Sequence, residues 1–336
     1  MDIKTFRLER SEEPLLNIGS YARGGSQQRP ARLTPAQVEQ IRRTVTRTPE
    51  VMVKVTGGGS AGSSSGVKAH FSYISRRGEL EIETDDGDRL TGQGAGPCLL
   101  NDWDLDLEQD RKRSDLFATH RRQAPKLVHK LIFSMPAGTP PDKVLSAVRA
   151  FSREEFGLKH RYAMVLHTDE PHPHVHVVVK AVSEGGVRLN IQKATLRGWR
   201  QEFARHLREQ GIAANATERA VRGETKTRKT DGIYRAALRG DSRHMNKRSE
   251  EAMTCLAHRR FPVEPGKARM IETRRNVEQG WRAVAELLHS QGERHIAEGV
   301  SRFVEAMRPP RTDEELMIGQ LLERAKAHER TMERTR

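Results

Sequence analysis

Residues 167–181 read HTDEPHPHVHVVVKA, placing His167, Asp169, His172, His174 and His176 within ten positions before a run of three valines. Neutral imidazole is the commonest protein metal ligand and can also move protons or attack phosphorus. Side chains alternate along a strand, so His174 and His176 share one face, while Val175, Val177 and Val179 share the other and can be buried. His167 and Asp169 share a parity on the preceding strand and its exit. A hairpin closing through TDEPHP would bring His167 beside His174. Three imidazoles from two adjacent strands, with a carboxylate in reach to orient one of them, suit a metal ion. Three neutral nitrogens leave coordination positions open, which suits a catalytic rather than a structural ion. Such an ion would act as a Lewis acid on an oxygen. By intrinsic affinity imidazoles prefer manganese, zinc, nickel or copper to magnesium, and the identity of the ion stays open.

The charge points to the substrate. Lys and Arg number 59 against 45 Asp and Glu, a net charge of +14 over 336 residues. Residues 192–248 hold 15 Lys and Arg against 6 Asp and Glu and so carry most of that surplus. Such a concentration indicates a polyanion, nucleic acid before an anionic membrane. No run of 18 apolar residues is present, and MDIKTFRLERSEEP lacks the apolar stretch of a secretion signal. The two cysteines, Cys98 and Cys255, are too few for a disulfide framework or a thiolate metal site. A cytoplasmic protein without membrane insertion is expected.

The surrounding elements must hold the histidines. Residues 1–48 read as an extension containing YARGGSQQRPAR, a loop, and TPAQVEQIRR, a helix capped by Thr34 with Pro35 in its first turn and Gln37 three residues on. VMVKV (51–55) alternates as a strand. TGGGSAGSSSG lacks the Lys-Ser/Thr of a P-loop and reads as a flexible loop. VKAHFSYISRRG places Val67, Phe71 and Ile74 on one helical face closed by Gly78. ELEIET is a strand, DLEQDRKRSDLFATHRRQ a charged helix, KLVHKLIFSMP a strand and PDKVLSAVRAFSREEFG a helix burying Val144, Val148 and Phe151. RYAMVLH and HVHVVVKAV form an antiparallel hairpin, and GGVRLNI reads as a short further strand. KATLRGWRQEFARHLREQG is a helix with Leu196, Trp199, Phe203 and Leu207 in one apolar stripe. Beyond about 265 the pattern is helical, with Met270, Val277, Trp281, Val284 and Leu288, then Ile296, Val300, Phe303 and Met307. PPRTDEEL restarts it with a Thr312/Glu315 capping box, and a basic tail, KAHERTMERTR, follows. The order of elements implies an α+β fold: a central antiparallel sheet with helices mainly on one face, followed by a C-terminal all-helical module. The expected boundaries are 1–48 for the extension, 49–245 for the domain that holds the histidines, and 246–336 for the helical region.

A phosphodiester fits both the charge and the metal, but its cleavage needs a nucleophile. The chain has four tyrosines: Tyr21, Tyr73, Tyr162 and Tyr234. Tyr73 lies on the amphipathic helix but off its apolar stripe, with Arg76 and Arg77 close behind. A free phenol titrates at roughly 10 and needs a base or nearby cations to attack. What it offers over water is covalent retention of the cut end. An ordinary half-buried helix tyrosine remains the alternative.

Three segments together resemble the relaxases, strand transferases of plasmid mobilisation in the His-hydrophobe-His endonuclease superfamily, and most resemble the T-DNA border endonuclease group. FSYISRRGELEIE looks like the nucleophile motif and makes Tyr73 the attacking residue. IFSMPAGT (132–139) resembles the second motif and sets Ser134 beside the scissile phosphate. HTDEPHPHVHVVV is similar to the third, which assigns metal binding to His167, His174 and His176. Asp169 then takes the role of orienting a histidine or assisting tyrosine deprotonation. The resemblance spans roughly residues 50–240. It departs at Lys180, where the family more often has Asn, and in the roughly 50 residues that precede the domain.

What the resemblance implies is site-specific nicking of single-stranded DNA at an origin of transfer, leaving a 5′-phosphotyrosyl link. The cofactor is a divalent ion, magnesium or manganese with zinc as a further option. Arg76, Arg77, Lys180 and, on the basic helix, Arg197 and Arg200 would contact DNA. A relaxosome accessory protein and a type IV secretion coupling protein are the implied partners. A different family, the histidine-triad nucleotide hydrolases, also fits HPHVHVV, but leaves Tyr73, the His167/Asp169 pair and the basic segment without a role. A non-catalytic DNA-binding accessory protein is the third reading.

Overall fold

The computed structural model describes residue 18 and residues 32–56, 63–107, 126–224, 231–258, 264 and 266–334, with side chains up to 327. The described residues fall in two compact units, one spanning 47–216 and the other joining residue 18 and 32–46 to 217 onward. Among them no helix is long and apolar enough to cross a membrane.

The first unit is built on six strands: β1 (Met52–Thr56), β2 (Ile82–Thr84), β3 (Arg89–Leu90), β4 (Val128–Ser134), β5 (Tyr162–His167) and β6 (His174–Lys180). Their order across the sheet is β1-β4-β6-β5-β2-β3, and every pairing is antiparallel. The hairpin read from the sequence is the middle of this sheet. Its register sets His167 opposite His174 and Val165 opposite His176, and on the other side Ser134 lies opposite His174.

Strand alternation divides the sheet into two unlike faces. Val175, Val177 and Val179 join Leu131, Phe133 and Met164 under two long helices, α4 (Pro141–Phe156) and α5 (Lys193–Glu209). The expected stripes are buried there: Val144, Val148 and Phe151 from α4, and Trp199, Phe203 and Leu207 from α5, with Leu196 packed at the margin. The other face carries the histidines. It is only partly covered, by α2 (Ser64–Ile74) and α3 (Ala95–Asp102), whose Val67, Phe71, Ile74, Leu99 and Leu100 pack on Ala163, Val165 and Val178.

Several local expectations shift. The helix of Tyr73 ends at Ile74 rather than at Gly78, because Ser75 caps it and a 3₁₀ turn, Arg76–Gly78, follows. ELEIET contributes only Ile82–Thr84 to the sheet, and GGVRLNI gives an isolated bridge between Val182 and Arg188 rather than a strand. The short β3 and α3 have too few residues to show a period, and the sequence did not point to them. The charged helix expected at 106–123 falls largely outside the described residues, as do most of the glycine-serine loop and the YARGGSQQRPAR segment.

The second unit is helical: α1 (Pro35–Val45), α6 (Asp231–Arg239), α7 (Arg243–His258), α8 (Lys267–Ser290), α9 (Arg294–Glu305) and α10 (Asp313–Arg334). Ile41 of α1 packs with Val277, Trp281, Val284, Leu288, Ile296, Val300 and Phe303 of α8 and α9. Both capping boxes form. Thr34 N–H donates to Gln37 Oε1 at 2.9 Å and Gln37 N–H to Thr34 Oγ1 at 3.2 Å. Thr312 and Glu315 make the equivalent pair at 2.9 and 3.2 Å.

Candidate functional site

The β5–β6 hairpin and the end of α2 build the site. The His167, His174 and His176 rings lie 4.5–5.3 Å apart between centroids, and one ligand atom from each falls within 4.8 Å of the others. Hydrogen bonds select the free nitrogens of two rings. His167 Nε2 lies 2.6 Å from the Ile74 carbonyl oxygen, a contact only an N–H can make, which leaves Nδ1 as the lone-pair nitrogen, the atom that Arg76 Nη2 approaches at 3.3 Å. His174 Nδ1 donates to the His172 carbonyl at 3.0 Å, which leaves Nε2. His176 Nδ1 is buried without a partner.

Burial keeps two of these rings, His167 and His176, in the neutral form a metal needs. Burial, reinforced by His167 and His174, pushes the His176 imidazole down to about 3, and burial lowers His167 as well. Neutral imidazoles converging on one point fit a divalent ion.

Tyr73 stands at the edge of this cluster, 53% exposed, with its ring 6.4 Å from that of His176 and nearly perpendicular to it. The three residues after Ser75 place a cation between phenol and imidazoles. Arg76, Arg77 and Gly78 are all left-handed, with φ of 52°, 61° and 95°. Such backbone costs about 1–2 kcal/mol for each non-glycine residue and concentrates at functional sites. Only glycine fits at 78, since a Cβ there would sit 2.2 Å from the Gly92 backbone. The turn aims the Arg76 guanidinium over the Tyr73 ring, 5.4 Å from its centroid. It donates to His167 Nδ1 at 3.3 Å and is ion-paired with Asp169. That pairing holds the Asp169 carboxyl below the usual range, and Asp169 lies 3.9 Å from His167 Nδ1.

The structure therefore gathers Tyr73, Arg76, His167, Asp169, His174 and His176. Ser134 is buried at the end of β4 beside His174. Arg77 is exposed next to Tyr73. Three expected DNA contacts are not brought to the cluster. Lys180 shares the histidine face but lies at the far end of β6, buried and paired with Glu184 at 3.2 Å. Arg197 and Arg200 belong to α5, on the opposite face of the sheet. One residue was missed. His70, half-buried on α2, stacks at 6.3 Å on Tyr73 and meets His176 edge-on at 6.2 Å. Burial and the Lys130 ammonium push its imidazole down to about 4. Its spacing of three from Tyr73 was the available signal, since i and i+3 share a helix face.

The chain is similar to known proteins over part of its length. Residues 84–212 match the relaxase family described as MobA/VirD2-like, nuclease domain. The T-DNA border endonuclease VirD2 of Agrobacterium fabrum is 26% identical over 206 residues, 58% of this chain and 46% of that protein. The VirD2 of Rhizobium radiobacter is 28% identical over 189 residues, 52% of this chain and 43% of that protein. The matched segment thus spans less than half the length of these relatives. A solved structure from "Molecular Basis of Vancomycin Resistance Transfer in Staphylococcus aureus" superposes on 51% of this chain and 99% of that chain, at 11% identity and a TM-score of 0.33.

Proposed function

Because the chain carries a nuclease domain of the MobA/VirD2-like relaxase family, we propose that it nicks single-stranded DNA by tyrosine transesterification at an origin of transfer, in plasmid mobilisation. The observation that supports this most is the approach of the Tyr73 ring to His176, one of three imidazoles that converge from the middle strands of the sheet.

In this reading Tyr73 Oη gives up its proton, attacks the scissile phosphorus in line and forms a P–O bond. The bond to the 3′ oxygen breaks, the 3′ end takes up a proton, and the 5′ end stays on the tyrosine. The phosphotyrosyl link conserves the phosphodiester, so the joint can be resealed without a nucleotide. Arg76 stands where negative charge gathers, beside both phenol and imidazoles, and is the fixed cation of the site. Asp169 holds that guanidinium in place and faces His167. Ser134, beside His174, is suited to a phosphate oxygen next to the cut, and Arg77 to the neighbouring backbone. With Arg76 withdrawn from His167 Nδ1, that nitrogen, His174 Nε2 and His176 would hold a divalent ion, magnesium or manganese with zinc also suited, which would supply Lewis-acid stabilisation of the non-bridging phosphate oxygens.

The test uses labelled oligonucleotides spanning a candidate origin of transfer, with magnesium or manganese. An SDS-resistant protein–DNA adduct is expected from the native chain and none from Tyr73→Phe. An adduct undiminished in Tyr73→Phe, or none from the native chain on any origin strand, would defeat the proposal.

A further inference from the structure

We infer that His70 is a positioning residue for the nucleophile, holding the Tyr73 phenol against His176 by ring contact. The inference rests on the reading of Tyr73 as the attacking residue. His70 and Tyr73 are neighbours one turn apart on α2, with ring planes 21° apart and centroids separated by 6.3 Å. The His70 ring meets His176 at 69° and 6.2 Å, and the Tyr73 ring meets His176 at 88° and 6.4 Å. The three rings thus touch pairwise, two from the helix and one from the sheet.

A closed triangle does what two of its members alone do not. Tyr73 is at the exposed end of a helix, where a phenol would otherwise sample several rotamers, each with its own distance to phosphorus. Displacement by about 1 Å can cost up to ~100-fold in rate. The imidazole one turn below flanks the phenol on the helix side, and His176 flanks it on the sheet side. His70 gives the folded chain little else. Its Nε2 is buried without a hydrogen-bond partner, a cost of about 1–3 kcal/mol that an apolar ring would avoid. It is also not among the three side chains whose ligand atoms converge, so it stands beside the metal cluster rather than in it.

The test compares His70→Ala and His70→Phe in the full chain. With His70→Ala, kcat for adduct formation falls about tenfold or more, while the KM for the oligonucleotide and the Mn²⁺ affinity, read by titration calorimetry, stay within about twofold of native. His70→Phe, which keeps a ring, restores kcat to within about threefold. A second readout does not depend on cleavage. With ¹³C-labelled tyrosine and histidine, the nuclear Overhauser contacts between the Tyr73 and His176 rings persist in His70→Phe and are lost in His70→Ala. Contacts that survive in His70→Ala, or a kcat as low in His70→Phe as in His70→Ala, would overturn the inference, the latter by giving the role to the nitrogen. A parallel loss of Mn²⁺ affinity would overturn it by making His70 a ligand. A native chain that forms no adduct but keeps the ring contacts would defeat the proposed function and leave the positioning geometry standing.

Discussion

The two faces of the central sheet come from the same strands and do opposite work. On one, Val175, Val177 and Val179 meet Phe133, Phe151, Trp199 and Phe203 in a close-packed aromatic and aliphatic layer. On the other, the alternate residues of β6 are His174, His176, Val178 and Lys180, and the cover is two shorter helices and a left-handed turn. Buried nitrogens without partners occur on both faces, at His70 and His176 on the polar side and at Trp199 on the apolar side, and the polar side adds the left-handed turn at Arg76 and Arg77. Both faces bury an apolar core, but only the histidine face adds a cluster of imidazoles that folding alone would not select.

That contrast can be broken from either side. The largest effect is expected from the apolar face, where Phe203→Ala should cost about 3–5 kcal/mol of stability in urea denaturation and leave the Mn²⁺ affinity of the folded fraction unchanged. On the polar face, His174→Ala should lower Mn²⁺ affinity at least tenfold by calorimetry, yet change metal-free stability by no more than about 1 kcal/mol. A His174→Ala protein that lost stability as Phe203→Ala does would erase the distinction.

Acid should weaken the metal-free protein. His176 and His70 are depressed to about 3 and about 4, and His129, which bonds the Leu189 carbonyl, to about 4. Free histidine titrates at about 6.5, so as pH falls below that value the unfolded chain takes up protons that the native rings refuse. The stability present above pH ~6.5 is therefore lost progressively toward pH ~4 and below. The urea midpoint at pH 5 should lie below that at pH 7, and His176→Asn should flatten the slope. An unchanged slope would show that this ring is not held neutral by the fold. The smallest effects concern DNA. Removing Arg77 should reduce the log–log salt slope of single-strand binding by about 0.7. Lys180→Met, about 20 Å from His174 along β6 at about 3.3 Å per residue, should leave it unchanged.

Much of this was legible in the residue order, for a particular reason. The period of two in HVHVVV decides which side chains share a face, and the six-residue turn TDEPHP decides which strand His167 joins, so the triad followed from local geometry. The stripes of α4, α5, α8 and α9 and both capping boxes are likewise repeats of three and four residues, which one segment contains whole. Arg76 shows the limit. As a pair of arginines, SRRG reads as a phosphate grip, but a left-handed turn locked by Gly78 against Gly92 aims one arginine into the cluster and leaves the other in solvent. Arg197 and Arg200 show it again, since net charge carries no information about which face of a sheet a helix covers.

The sequence by itself determined which histidines share a strand face and so could form a cluster, because strand parity is a property of consecutive residues, while only the resemblance of FSYISRRGELEIE to a family motif singled out Tyr73. Only the tertiary structure decided that the two meet, that Arg76 and His70 stand between or beside them, and that the basic helix lies on the opposite face from the histidines. Those are contacts between segments about a hundred residues apart, and packing of the whole sheet sets them rather than any local preference of the chain.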